Sequence, residues 1–410
     1  MKRSKNKALS TVSTIISGVI VISSASYGGK IITYINGGFR YGYRLFPLII
    51  FLTISFIFIQ EMNIRMAKIT GKSFADLIRE WYGAKPAFFA MIMVLISSIF
   101  LTISSFGASL IGVELMGVNK YIAILIISIS IWLMITKRYY ESAQNIFFLL
   151  SIIFIMYIIS AIDVNNSSKV MIKSVQNIDF WQSDYIYYSL SIIGASIPTY
   201  MMFHLQSYLV QEDLSFKEYG EQKIGIYIGI LIMFLISLLI MIVGIESFQR
   251  GGEIAISNKN LGVIFIKAFG KYAKYIFGMG ILSFTTITLA LIPLAGTLAI
   301  CDAFALENGF EKSCKEAPLF YIIFTFILVI SGIFVLLNQS SLINLIILAQ
   351  ALASMIVPVI LIYMIIITNN SEIMGKEVNK PIQNIVVWFT VISIVVFFIA
   401  LMIYKIMAMF

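Results

Sequence analysis

Charge is what this chain has least of: Asp, Glu, Lys and Arg make up 12% of its 410 residues. A water-soluble domain carries about a quarter of its residues as charged groups to cover its surface, so a soluble enzyme or binding module is excluded. Histidine occurs once, at His204, and cysteine twice, at Cys301 and Cys314. A lone histidine cannot build a metal site, and His204 reads as a packing or pore-lining residue. The two thiols fall near a span end and in a segment placed in the cytoplasm, where thiols stay reduced, so neither is given a function. Carboxylates are missing from the middle of every apolar run: Glu61, Glu114, Asp163, Glu212, Glu246 and Asp302 all lie near run ends or in loops. Neither a phosphate-binding glycine loop nor a catalytic triad is recognisable, so no enzymatic activity and no cofactor are expected.

What is present is apolar length. Hydrophobic residues make up 60% of the chain and the mean hydropathy is +0.96. At about twenty apolar residues per crossing, the spans fall near 10–35, 45–64, 87–113, 121–136, 145–162, 184–209, 224–245, 276–301, 319–337, 341–367 and 385–406. The expectation is an all-α membrane protein of about eleven transmembrane helices, one domain over 10–406 behind a short tail, 1–9. The net charge of +9 sits in short loops rather than on one helical face, which argues for topology signals and against nucleic acid as a partner. Most lysines and arginines fall in the segments that are inside if the N-terminus is cytoplasmic. Heavy use of Ile, Lys and Asn points to a bacterial inner membrane. Between the seventh and eighth spans, Val263, Ile264, Ile266 and Phe269 interleave with Lys267, Lys271 and Lys274; the pattern suits an interfacial amphipathic helix or an ordinary loop helix.

Two spans are interrupted. The first carries Ala25-Ser26-Tyr27-Gly28-Gly29 and the sixth Ala195-Ser196-Ile197-Pro198, each an Ala-Ser pair just before a helix breaker. Paired interruptions at matching places in two five-helix halves are a sequence pointer to an inverted repeat with a site at the midplane. The first repeat then runs over about 10–162, the second over about 184–367, and an extra helix over about 385–406.

The stretch from Thr70 to Gly83, TGKSFADLIREWYG, resembles the loop between the second and third helices of the NRAMP (natural resistance-associated macrophage protein) metal transporters. Further similarities run in family order: Gly37-Gly38-Phe39-Arg40-Tyr41-Gly42-Tyr43, Ser207-Tyr208-Leu209-Val210-Gln211, Gly296-Thr297-Leu298-Ala299, Ala349 to Ser354 with Val357-Pro358, and Met374-Gly375-Lys376 with Val378-Asn379. The resemblance implies the LeuT-like fold, with helices one to five and six to ten as inverted repeats and helices one and six broken.

It also locates departures. The family's Asp-Pro-Gly-Asn motif falls on Tyr27-Gly28-Gly29-Lys30, so the metal-binding aspartate is replaced by tyrosine and the asparagine by lysine. The Met-Pro-His motif falls on Ile197-Pro198-Thr199 or on Thr199-Tyr200-Met201, depending on the register. The acidic positions of the third helix correspond roughly to Phe106 and Ser109, and a sixth-helix histidine corresponds to Gln206. Transition metals favour carboxylate, carbonyl, imidazole or thioether ligands, and a dication beside an ammonium is repelled by several kcal/mol; no metal ligand is therefore assigned. Gln350 matches a tenth-helix glutamine that the resemblance places near substrate, and its amide suits a polar ligand or an interhelical hydrogen bond equally. Lys30 reads either as an intramembrane functional charge or as a side chain snorkelling to the outer interface. The expected site is Tyr27, Gly28, Gly29, Lys30, Ser196, Ile197, Pro198, Thr199, Tyr200 and Gln350.

The functional expectation is a secondary transporter working by alternating access on a small organic solute, an amino or carboxylic acid held by Lys30. One alternative is a divalent-metal carrier using carbonyls, Gln350 and water, with Lys30 facing away. Another is a non-transporting, permease-like receptor subunit. The partners are the lipid bilayer and the transported solute or ion.

Overall fold

The computed structural model describes residues 14–19, 27–137, 181–211, 216–251, 272–307, 312–338 and 341–407. Helix dominates them because a chain in hydrocarbon must satisfy each backbone N–H and C=O within its own segment. After a turn of helix over 14–19 come α1 (Gly28–Tyr41), α2 (Phe46–Thr70), α3 (Phe74–Tyr82), α4 (Ala84–Leu115), α5 (Lys120–Thr136), α6 (Ser183–Ser196) and α7 (Thr199–Gln211). Then come α8 (Phe216–Gly251), α9 (Ala273–Ala303), α10 (Pro318–Leu337), α11 (Leu342–Ser354), α12 (Val357–Asn369) and α13 (Pro381–Met407), with single helical turns over Gly42–Leu45 and Ser371–Met374.

Every expected span except 145–162, which lies outside the described residues, coincides with helix, in part for 10–35, with a break at 197–198 in 184–209 and at 355–356 in 341–367, and almost throughout for the others. Seven helical stretches among the described residues are long and apolar enough to cross a membrane. The sixth expected span is missing from that set because its break divides it into α6 and α7, each too short to cross alone. The proposed amphipathic segment around 263–271 lies outside the described residues, while Lys274 stands in the first turn of α9.

Burial separates centre from periphery. α9 is buried over 83% of its most apolar stretch and packs along α4, whereas α13 is buried over only 28% of its own. The exposed residues of α13 are themselves apolar, Ile385, Phe389 and Ile392 among them, as expected of a helix that faces lipid.

The Thr70 to Gly83 stretch shows how local chemistry sets the boundaries. Gly71, at φ 61°, takes the left-handed position that ends α2 at no steric cost to a residue without Cβ. Two residues on, the Ser73 Oγ accepts from the Asp76 N–H at 3.2 Å and caps α3. Gln206 of α7 donates to the Lys72 carbonyl at 2.9 Å, which ties this connection to the second half of the broken helix.

Candidate functional site

Both expected breaks reach the same region of the bundle. Tyr27, the residue before α1, has extended backbone at φ −137° and ψ 160° and is wholly buried. Ile197, after α6, leaves the helix at φ −121° and ψ 70°, and Pro198 cannot supply the N–H that would continue it. The Tyr27 hydroxyl donates to the Gly194 carbonyl at 3.4 Å, so the first break is anchored on the last turn of α6. Ala25 and Ser26 lie outside the described residues. A third interruption, at Met355 and Ile356, separates α11 from α12. Its position in a continuous apolar run hides it in the sequence.

Gln350 on α11 joins the two halves at this point. Its Oε1 accepts from Thr33 Oγ1 of α1 at 2.6 Å, and its Nε2 donates to Ser104 Oγ of α4 at 3.0 Å. The approach depends on glycine: a Cβ at Gly29 would run into the Ser104 hydroxyl and stand 3.0 Å from Gln350 Nε2. On the opposite side, a Cβ at Gly194 would collide with the backbone carbonyl of Gln350. Gly28 packs against Thr285 of α9 and Ala108 of α4. Tyr27, Gly29 and Gln350 therefore lie together, among phenol, amide, hydroxyl and carbonyl oxygens, with Gly28 turned to α9 and α4.

Lys30 belongs elsewhere. With about 100° per residue on a helix, Gly29 and Thr33 face Gln350 while Lys30 and Tyr34 face α2 and α8. The Lys30 side chain is buried, with the residue 5% exposed, and its Nζ lies 5.5 Å from the centroid of the Tyr34 ring. Helix α1 starts at Gly28 rather than ending at Gly29, so Lys30 sits in its first turn and does not snorkel to an interface. Ser196 joins this second group, its Oγ 2.6 Å from the Tyr34 hydroxyl.

The remaining expected residues are buried around the second break. Ile197 and Tyr200 are fully buried, and the Thr199 hydroxyl is hydrogen-bonded to Ser97 of α4. Phe106 and Ser109 are buried without charge. Cys301 is buried and Cys314 exposed, both as free thiols. Among the described residues no three or more His, Cys, Asp or Glu side chains come together. The sequence reading missed Thr33, Ser104, the Gly194 carbonyl and Tyr34. One signal pointed to Ser104: Ser97, Ser98, Thr102, Ser104, Ser105 and Ser109 put six buried hydroxyls on one membrane helix.

The profile of the family described as natural resistance-associated macrophage protein-like matches residues 18–404. A divalent metal cation transporter MntH of Staphylococcus aureus is 24% identical over 404 residues, covering 92% of this chain and 87% of that protein. In fold, the chain is similar to a mutant of the Eremococcus coleocola manganese transporter, with a TM-score of 0.77 at 16% identity, over 97% of this chain and 87% of that one. It is also similar to a Na+-coupled sialic acid symporter, with a TM-score of 0.61 at 13% identity, over 93% and 88%. The architecture is the LeuT-like one, and the molecule is a multi-pass membrane transporter rather than an enzyme. Taken with the broken helices that meet at Gln350, the match along nearly the whole chain means that this protein belongs to the NRAMP family.

Proposed function

We propose that this transporter carries a divalent metal ion across the cell membrane, passing it over neutral oxygens between the breaks before α1 and after α6. One observation carries the reading: Lys30 stands on a different face of α1 from Gly29 and Thr33, which meet Gln350 of α11, so the ammonium does not point at the oxygens of Tyr27, Gly194 and Gln350. Divalent cations of the harder kind accept carbonyl and amide oxygens together with retained water. The cargo named for the Staphylococcus aureus and Eremococcus coleocola proteins supports the same assignment. With no carboxylate in the set, the site holds its ion loosely and has no acidic group of its own for coupling a proton.

The organic-acid expectation is the weaker reading. It needs Lys30 to meet the solute at the site, and the cavity beside Lys30 has about 20 Å³ of room for the centre of a water-sized particle, too little for an amino acid. We take the N-terminus as cytoplasmic, the repeats as about 10–162 and 184–367, and the helix near 385–406 as an addition to them. Transport then proceeds by one bundle rocking against the other around the breaks.

The test is flux. The purified chain, reconstituted alone in vesicles holding a Mn²⁺ indicator, is expected to take up Mn²⁺ saturably, with no uptake of labelled amino or carboxylic acids. Uptake of an organic acid without Mn²⁺ would restore the earlier expectation. Flux of neither would favour the receptor-subunit alternative.

A further inference from the structure

Lys30 faces a second, narrow space in the bundle. The space beside its ammonium is bounded by α1, α2, the end of α6 and α8, and its polar lining is Lys30, Tyr34, Thr53, Ser196 and Ser237. Its other walls are apolar, including Phe56 and Met233. Among the described residues no carboxylate contributes to the lining, and Lys30 has neither an ion pair nor a hydrogen bond. An ammonium removed from water without a counter-charge is strongly disfavoured, and the flat face of Tyr34 at 5.5 Å offsets only part of that cost.

The serine and threonine hydroxyls around this space are bonded to their own helices and can be turned to an occupant. Thr53, Ser196 and Ser237 each donate back along their own helices, to Ile49, Ile192 and Met233, at 2.8, 2.6 and 2.7 Å. Rotation about χ1 would turn these donors toward the cavity, and the Tyr34 hydroxyl is already within 2.6 Å of Ser196. The room, about 20 Å³ for the centre of a water-sized particle, admits one compact particle. A cation is excluded by Lys30, and a carboxylic acid by size. Water would fill the space but would leave the charge unbalanced.

We propose that this cavity is a binding site for one small monovalent anion, a halide such as chloride, held by the Lys30 ammonium with the hydroxyls of Tyr34, Ser196 and Ser237. The anion links the first turn of α1 to the end of α6 and to α8, elements on both sides of the breaks. The site is separate from the Gln350 oxygens and does not depend on what the transporter carries.

The experiment is direct binding of radiolabelled ³⁶Cl⁻ to the full-length protein in detergent, by scintillation proximity, in gluconate buffer of constant ionic strength. Saturable binding of one chloride per chain, displaced by bromide and not by sulfate, is expected. Lys30→Met keeps the length of the stem without the charge and is expected to lower affinity more than tenfold, while Ser237→Ala lowers it several-fold. Mn²⁺ flux, followed in parallel, reports separately on the cargo. Absence of saturable binding, or the same affinity in Lys30→Met, would overturn the proposal. If Lys30→Met does not yield folded protein, unchanged chloride affinity in Ser237→Ala overturns it instead.

Discussion

Thr33 and Gln350 are 317 positions apart in the chain, yet their side chains meet at 2.6 Å, joining the first helix after one break to the helix that precedes another. Ser104 joins the pair from α4 at 3.0 Å, and in the metal carrier we propose these are the oxygens that an ion would exchange for water.

Gln350→Leu removes one amide oxygen from the ion's path and leaves Thr33 and Ser104 without their shared partner. Initial Mn²⁺ uptake should fall at least tenfold, which corresponds to about 1.4 kcal/mol. Uptake at the unaltered rate in reconstituted vesicles would remove Gln350 from the site.

Gly194→Ala should destabilise the bundle, since the new Cβ meets the backbone carbonyl of Gln350 and backbone cannot swing aside as a side chain does. Overpacking of this kind costs roughly 1–3 kcal/mol. A lower Tm in detergent is expected. Gly220→Ala is the control: a Cβ there meets nothing within 4 Å, and a glycine-to-alanine exchange inside a helix is neutral or favourable by up to about 1 kcal/mol.

Glu61 holds three elements at one end of the bundle. Its carboxylate takes Arg65 at 3.3 Å within α2, Lys223 of α8 at 3.2 Å and Gln383 of α13 at 2.5 Å. Arg65 in turn donates to the carbonyls of Glu377 and Val378 and to Asn379 Oδ1. Glu61→Ala leaves two cations facing each other with no anion between them. A loss of about 1–3 kcal/mol, read as a lower Tm, is expected, because the carboxylate is only 13% exposed and poorly screened. Lys72→Ala breaks a surface ion pair with Glu80 and should change Tm little.

The membrane class, the helix positions and the family were legible in the sequence, each for a local reason. Apolar runs of bilayer length have one physical solution, and Gly71, Ser73 and Pro198 act on backbone within a few residues of themselves wherever the chain goes. The hydroxyls of α4 went unread, although six of them on one membrane helix need partners and their composition alone would have marked it. The third break was not legible, because Pro358 stands at the start of α12, where proline is tolerated, and the apolar run continues across Met355 and Ile356.

What the linear chain could not say was which neighbours each face of α1 would meet. Lys30 is one residue from Gly29, and the spacing placed both beside the break. Packing decided the difference: Gly29 and Thr33 close on α4 and α11, while Lys30 and Tyr34 turn to α2 and α8. Residue types and periodicity are properties of the chain and survive any arrangement of the helices. The direction of a buried charge is a property of the helices packed around it, and here it moves Lys30 from the expected solute site to a cavity of its own.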